Sequence, residues 1–138
     1  MSKINLNKLP MLRLQRDIDA LMHSRKPLAI AGRKSSVLSA FYFLRELPPD
    51  APPMLFLLHA PKRQTRPAHE RNKLKRWMRE AIRQSDEMKE AHRILAQENR
   101  QALILIRATM PPSADCSWNQ IQDDVRIISA LLIKKISA

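Results

Sequence analysis

The sequence is short of glycine, cysteine, aromatic rings and acidic side chains. Its 138 residues include one glycine, Gly32, which excludes the glycine-rich loops that cradle nucleotide phosphates. The stretch Gly32-Arg-Lys-Ser35 has no glycine five residues before it and no lysine directly after it. The single cysteine, Cys116, rules out an internal disulfide and a cysteine-rich zinc site, in keeping with a reducing compartment. No apolar run approaches the roughly 20 residues that cross a bilayer, and Met1 to Lys8 lack an apolar core followed by a small-residue cleavage site. A cytoplasmic protein without a membrane partner is the expectation.

Acids are the most informative shortage. Asp and Glu number 13 against 25 for Lys and Arg, a formal net charge of +12, while 44% of residues are hydrophobic. This is the balance of a folded basic protein, whose field attracts polyanions, nucleic acid above all. The length suits one core, so residues 1–138 are read as one domain, with residues 1–10 expected to be flexible.

Apolar periodicity gives the elements. Leu14, Ile18, Leu21 and Met22 space a helix over residues 11–23. Residues 27–32 and 35–44 read as strands around a turn at Gly32, and the proline-rich run 46–53 as a loop. Residues 54–59 form the next strand. From Pro67 a helix runs on to about Asn99, with a possible break at Ser85-Asp86. Residues 102–106 have strand length, and Ser117 with Gln120 makes a capping box for a last helix. Its stripe is Trp118, Ile121, Val125, Ile128 and Leu132. The order helix, strand, strand, strand, helix, strand, helix predicts a small α/β sandwich of the α+β kind.

Chemistry concentrates in residues 62–83. At about 100° per residue, Leu74, Trp77, Met78 and Ala81 share one side of a helix and Asn72, Arg76, Arg79 and Arg83 the other, flanked by Lys73 and Lys75. Like charges four apart repel, and Glu70 and Glu80 are too few to neutralise them. A polyanion would compensate, and arginine suits phosphate because its planar fork makes two hydrogen bonds. A solvated helix face is the bland alternative; the one-signed surplus, extended by Lys62, Arg63 and Arg66, argues against it.

Arg71-Asn72-Lys73-Leu74-Lys75-Arg76, followed by Met78-Arg79-Glu80-Ala81-Ile82-Arg83, resembles the signature of the bacterial ribonuclease P protein family: Arg-Asn-Arg-x-(Lys/Arg)-Arg, then Arg-Glu-x-x-Arg. Lys73 departs from the usual arginine, keeping the charge and losing the fork. Lys62-Arg63 resembles the family's Lys-Lys pair, and the segment to Arg71 is one residue longer than usual. The resemblance implies a fold arranged like ribosomal protein S5, with a left-handed strand-helix-strand crossover. It implies an RNA-binding subunit that assists a catalytic RNA in removing the 5′ leader of precursor tRNA.

On that resemblance, Lys62, Arg63, Arg66, Arg71, Asn72, Lys73, Lys75, Arg76, Arg79 and Arg83 contact the catalytic RNA. A cleft between the first helix and the sheet takes the leader. Hydrolysis belongs to the RNA with its Mg2+; the protein contributes no catalytic residue, metal site or cofactor, and requires no protein partner. Four dispersed histidines (His23, His59, His69, His92) and the lack of a nucleophile motif agree. In the cleft, Tyr42 is the stacking candidate, helped by Arg13, Arg16 and Lys62, because strand alternation separates it from Phe41 and Phe43, which are assigned to the core. Ile18 stands where the family often has phenylalanine. Trp77 and Trp118 are read as core residues. The alternatives are a ribosomal or other structural RNA-binding protein, and a DNA-binding regulator, which would need a helix-turn-helix partner.

Overall fold

The computed structural model describes residues 9–29, 37–113 and 116–137. The expected turn at Gly32 and residues 1–8 lie outside them. The chain runs α1 (Gln15–Ser24), β1 (Lys26–Ala29), β2 (Leu38–Glu46), β3 (Met54–His59), α2 (Ala68–Gln84), α3 (Asp86–Gln97), β4 (Arg100–Ala108) and α4 (Trp118–Ser137). Four strands form one mixed sheet in the order β1-β2-β4-β3. β2 pairs antiparallel with both β1 and β4, whereas β3 lies parallel to β4, joined to it through α2 and α3. This is the α+β architecture expected from the sequence. No helix among the described residues is long and apolar enough to cross a membrane.

Pleating sorts the side chains between the two sheet faces. Leu38, Ala40 and Tyr42 of β2, Met54, Phe56 and Leu58 of β3, and Ala102, Ile104 and Ile106 of β4 enter the main core. There they meet Leu74, Met78 and Ile82 of α2, Met88 and Leu95 of α3, and Ile121, Val125, Ile128 and Leu132 of α4. The opposite face carries Phe41, Phe43, Leu55, Leu57, Leu103 and Leu105, covered in part by Leu12, Ile18 and Leu21 around α1. The sheet is thus apolar on both sides, so β4 reads as a continuous apolar run.

The structure refines the sequence reading of the element ends for definite reasons. α1 starts four residues later than expected because the segment before it runs beside the edge of β3. The Leu12 amide donates to the Phe56 carbonyl at 2.7 Å, and the Phe56 amide to the Pro10 carbonyl at 3.0 Å. Leu9 is buried in the core, so residues 9 and 10 are anchored rather than flexible. The long helix does break at Ser85, whose hydroxyl caps α3 by accepting the Met88 amide at 3.0 Å. In the expected capping box only one half forms: the Gln120 amide donates to Ser117 Oγ at 3.3 Å, while the Gln120 side chain turns to Asp124 at 2.9 Å.

That diversion serves a buried carboxylate. Asp124 accepts the Val37 amide at 2.6 Å and the Leu38 amide at 3.0 Å, fastening α4 to the start of β2. Left-handed turns are made without glycine at two described positions, Asp50 (φ 59°) and Asn99 (φ 55°), residue types whose short polar side chains tolerate that region. Asn99 ends the α3 segment, and its carbonyl accepts the Leu47 amide at 2.9 Å.

Candidate nucleic-acid interface

The basic face of α2 exists because its other face is needed by the core. Leu74, Met78, Ala81 and Ile82 are buried, so the intervening polar residues must point outward. Asn72, Lys73, Arg76 and Arg79 are exposed; Arg71, Lys75 and Arg83 are partly covered. Among the described residues no carboxylate pairs with Arg76 or Arg79; Glu80 is held by Arg83. Lys73 Nζ lies over the Trp77 ring at 5.0 Å, a cation–π contact that keeps the ammonium near the helix surface.

The loop into α2 is built rather than loose. The Gln64 and Thr65 amides both donate to the Pro61 carbonyl, at 3.2 and 3.1 Å, and Thr65 is buried. Arg71 reaches back to donate to the Thr65 carbonyl at 3.1 Å and to the Arg66 carbonyl. Its guanidinium therefore shapes the loop that displays Lys62, Arg63 and Arg66, all exposed. Pro67 takes the position before the first helical residue, where its lack of an amide costs nothing.

A second region lies on the opposite sheet face, where α1 covers only part of the strands. A cleft of about 310 Å³ is lined by Ile18, Met22, Phe41, Leu57, Leu58 and Leu105, with Arg25, His59 and Arg107 as its polar members. The Arg25 guanidinium stands 4.9 Å from the centre of the Phe41 ring. Burial, and then the charges of Arg107 and Lys75, push the His59 imidazole below the ordinary histidine value.

The stacking assignment from sequence is corrected here. Tyr42 is 7% exposed and faces the helix-packed core, sharing its side of the sheet with its cross-strand neighbour Ile104. Phe41 and Phe43 face α1, and Phe41 lines the cleft. Alternation was sound; which set faced which layer depends on helices elsewhere in the chain. Arg13, Arg16 and Lys62 are exposed but do not line the cleft, whose cations are Arg25 and Arg107. Strand register could have suggested Arg107, since it ends an apolar strand with β3 alongside; nothing local marked Arg25 or His59. Trp77 and Trp118 pack partly buried against the main core, as expected.

α1 is held at its other end by a polar chain. Arg45 Nη2 donates to Asp17 Oδ1 at 2.9 Å and Arg45 Nε to Gln101 Oε1 at 2.7 Å, and Gln101 Nε2 donates to the Pro52 carbonyl at 2.9 Å. The Asp17 side chain is only 10% exposed. Arg45→Met leaves that carboxylate without its cation and is expected to cost about 1–3 kcal/mol in chemical denaturation, the cost of a buried group left unsatisfied. An unchanged midpoint would mean that α1 docks through Leu21 and Ile18 alone.

No three His, Cys, Asp or Glu side chains converge among the described residues. Against known proteins, a family model described as Ribonuclease P matches residues 11–132. The ribonuclease P protein of Staphylococcus aureus has the same fold, with a TM-score of 0.58 and 17% identity; the superposition covers 94% of this chain and 98% of that one. A search of curated proteins gives no significant match. The chain belongs to the ribonuclease P family, in the role of the protein subunit that partners the ribonuclease P RNA in tRNA 5′ processing.

Proposed function

We propose that α2 docks the chain on the catalytic RNA, that the cleft beside α1 receives the single-stranded 5′ leader of precursor tRNA, and that hydrolysis is left to the RNA and its Mg2+. The observation that carries this reading is the separation of two surfaces. Arg76 and Arg79 project from the helix side of the sheet without carboxylate partners among the described residues, whereas the apolar cleft with Arg25 and Arg107 opens on the other side.

The two surfaces suit different jobs. Exposed arginines on a rigid helix match the phosphates of a folded RNA. An apolar floor with one accessible ring and flanking cations suits a flexible strand, because every base has a π-face to stack and every nucleotide a charge. In this division the protein moves no proton and breaks no bond; it raises the local concentration and fixes the path of the substrate strand. Cytoplasmic placement and independence from protein partners belong to the same proposal.

The test is reconstitution with a bacterial ribonuclease P RNA at low magnesium. The expected result is 5′ processing by the complex and none by the protein alone. Phe41→Ala should weaken a long-leader precursor by roughly fivefold, about 1 kcal/mol for one lost stacking partner, and leave a one-nucleotide leader unaffected. Equal weakening of both substrates would remove the leader from the cleft. Cleavage by an RNA-free preparation would overturn the division of labour.

A further inference from the structure

We propose that His59 and Arg107, with Arg25 beside them in the cleft, form a proton-linked clamp for one phosphodiester of single-stranded RNA at the end of the cleft. The inference rests on reading the cleft as the leader site and adds which residues grip the backbone there and how pH controls the grip.

Register brings the pair together. His59 and Arg107 are Cα partners in the parallel β3–β4 ladder, on the face that carries Leu57 and Leu105, and both line the cleft. The charge of Lys75 on α2 also bears on the imidazole, and Arg25 enters the cleft from the α1–β1 junction. From α1 itself the cleft receives only Ile18 and Met22. No carboxylate lines it, and among the described residues none pairs with Arg25, Lys75 or Arg107. Two cations of the cleft and the charge of Lys75 thus accompany one titratable group, with no carboxylate among the lining residues to balance them. A phosphodiester supplies the balancing anion. The apolar floor and Phe41, with Arg25 at 4.9 Å, offer a base its stacking surface beside the clamp.

The sign of the pH effect follows. In the free cleft, burial, Arg107 and Lys75 favour neutral imidazole, so near pH 7 His59 is uncharged. A bound phosphodiester reverses the local charge and raises the imidazole pKa, so binding takes up a proton. Affinity is flat above the bound-state pKa, rises as pH falls through it, and levels off below the free-state value.

The experiment uses the holoenzyme, in which the catalytic RNA is present in every arm. Leader affinity is read before cleavage, by stopped-flow fluorescence, for a precursor tRNA with a five-nucleotide leader and for the same tRNA with a one-nucleotide leader. Their ratio cancels titrations common to both. Between pH 7.5 and 6.0 it should rise about two- to fourfold, the part of a half- to one-unit rise in pKa that falls inside this window. His59→Gln, outside both apolar clusters and so leaving the core untouched, should make the ratio independent of pH, and Arg107→Gln should lower it at both pH values. A wild-type ratio that does not change with pH, or a His59→Gln holoenzyme with the wild-type pH response, would overturn the clamp. If Phe41→Ala still lowered the ratio in that case, the leader cleft would stand without the clamp; if it did not, both would fall.

Discussion

Replacing both Arg76 and Arg79 by alanine is expected to weaken binding to the catalytic RNA by roughly 25- to 60-fold at 0.1 M salt and to flatten its salt dependence. Each phosphate contact contributes about 0.7 to 0.9 to the slope of log affinity against log salt, so two lost contacts lower the slope by roughly 1.4 to 1.8. The fold should not suffer, because both side chains are exposed and neither has an acidic partner among the described residues. Relief of like-charge repulsion along α2 should even raise helix stability slightly. Filter binding across a salt series checks the slope, and thermal melting checks the fold. A weakened complex with an unchanged slope would mean that the arginines act other than on phosphates, whereas an unchanged affinity would move the RNA interface off α2.

The largest effect on stability is expected at Phe56. Its side chain is fully buried on the face of β3 that meets the helices, in the cluster containing Leu74 and Met78 of α2. Phe56→Ala removes most of an aromatic side chain from a close-packed site and should cost about 3–5 kcal/mol, a large part of the roughly 5–15 kcal/mol that holds a domain folded. The backbone bonds from Phe56 to Pro10 and Leu12 do not depend on the side chain, so the anchor of the chain before α1 should survive in the folded fraction. Denaturant unfolding should show a lower midpoint at an unchanged slope. Ile127→Ala, at an exposed position of α4, serves as the contrasting substitution, with an expected change within about 0.5 kcal/mol. A comparable loss at both positions would mean that the core is not organised around β3.

These two substitutions divide the molecule along the line that α2 itself draws. Leu74 and Met78 must be buried for the sheet to be covered, and a helix that buries them presents Asn72, Arg76 and Arg79 to solvent. Stability and the basic surface are therefore opposite faces of one requirement. The cleft arises differently: α1 is short and fastened near Asp17 and Leu21, which leaves Phe41 and Leu57 incompletely covered.

What the sequence by itself determined was whatever depends on neighbours along the chain. The helical period of α2 is local, so its basic face could be assigned residue by residue. The break at Ser85 and the strand at residues 54–59 were also legible, since a hydroxyl cap and a β-rich run act within a few residues. The tertiary structure decided whatever depends on which layer lies on which side. Period-2 alternation separated Tyr42 from Phe41 and Phe43 but could not say which set faced the core; three helices from the second half of the chain pack against the Tyr42 side. The meeting of Arg25, His59 and Arg107 in one cleft is likewise a matter of register and docking between elements tens of residues apart, information that no local window contains.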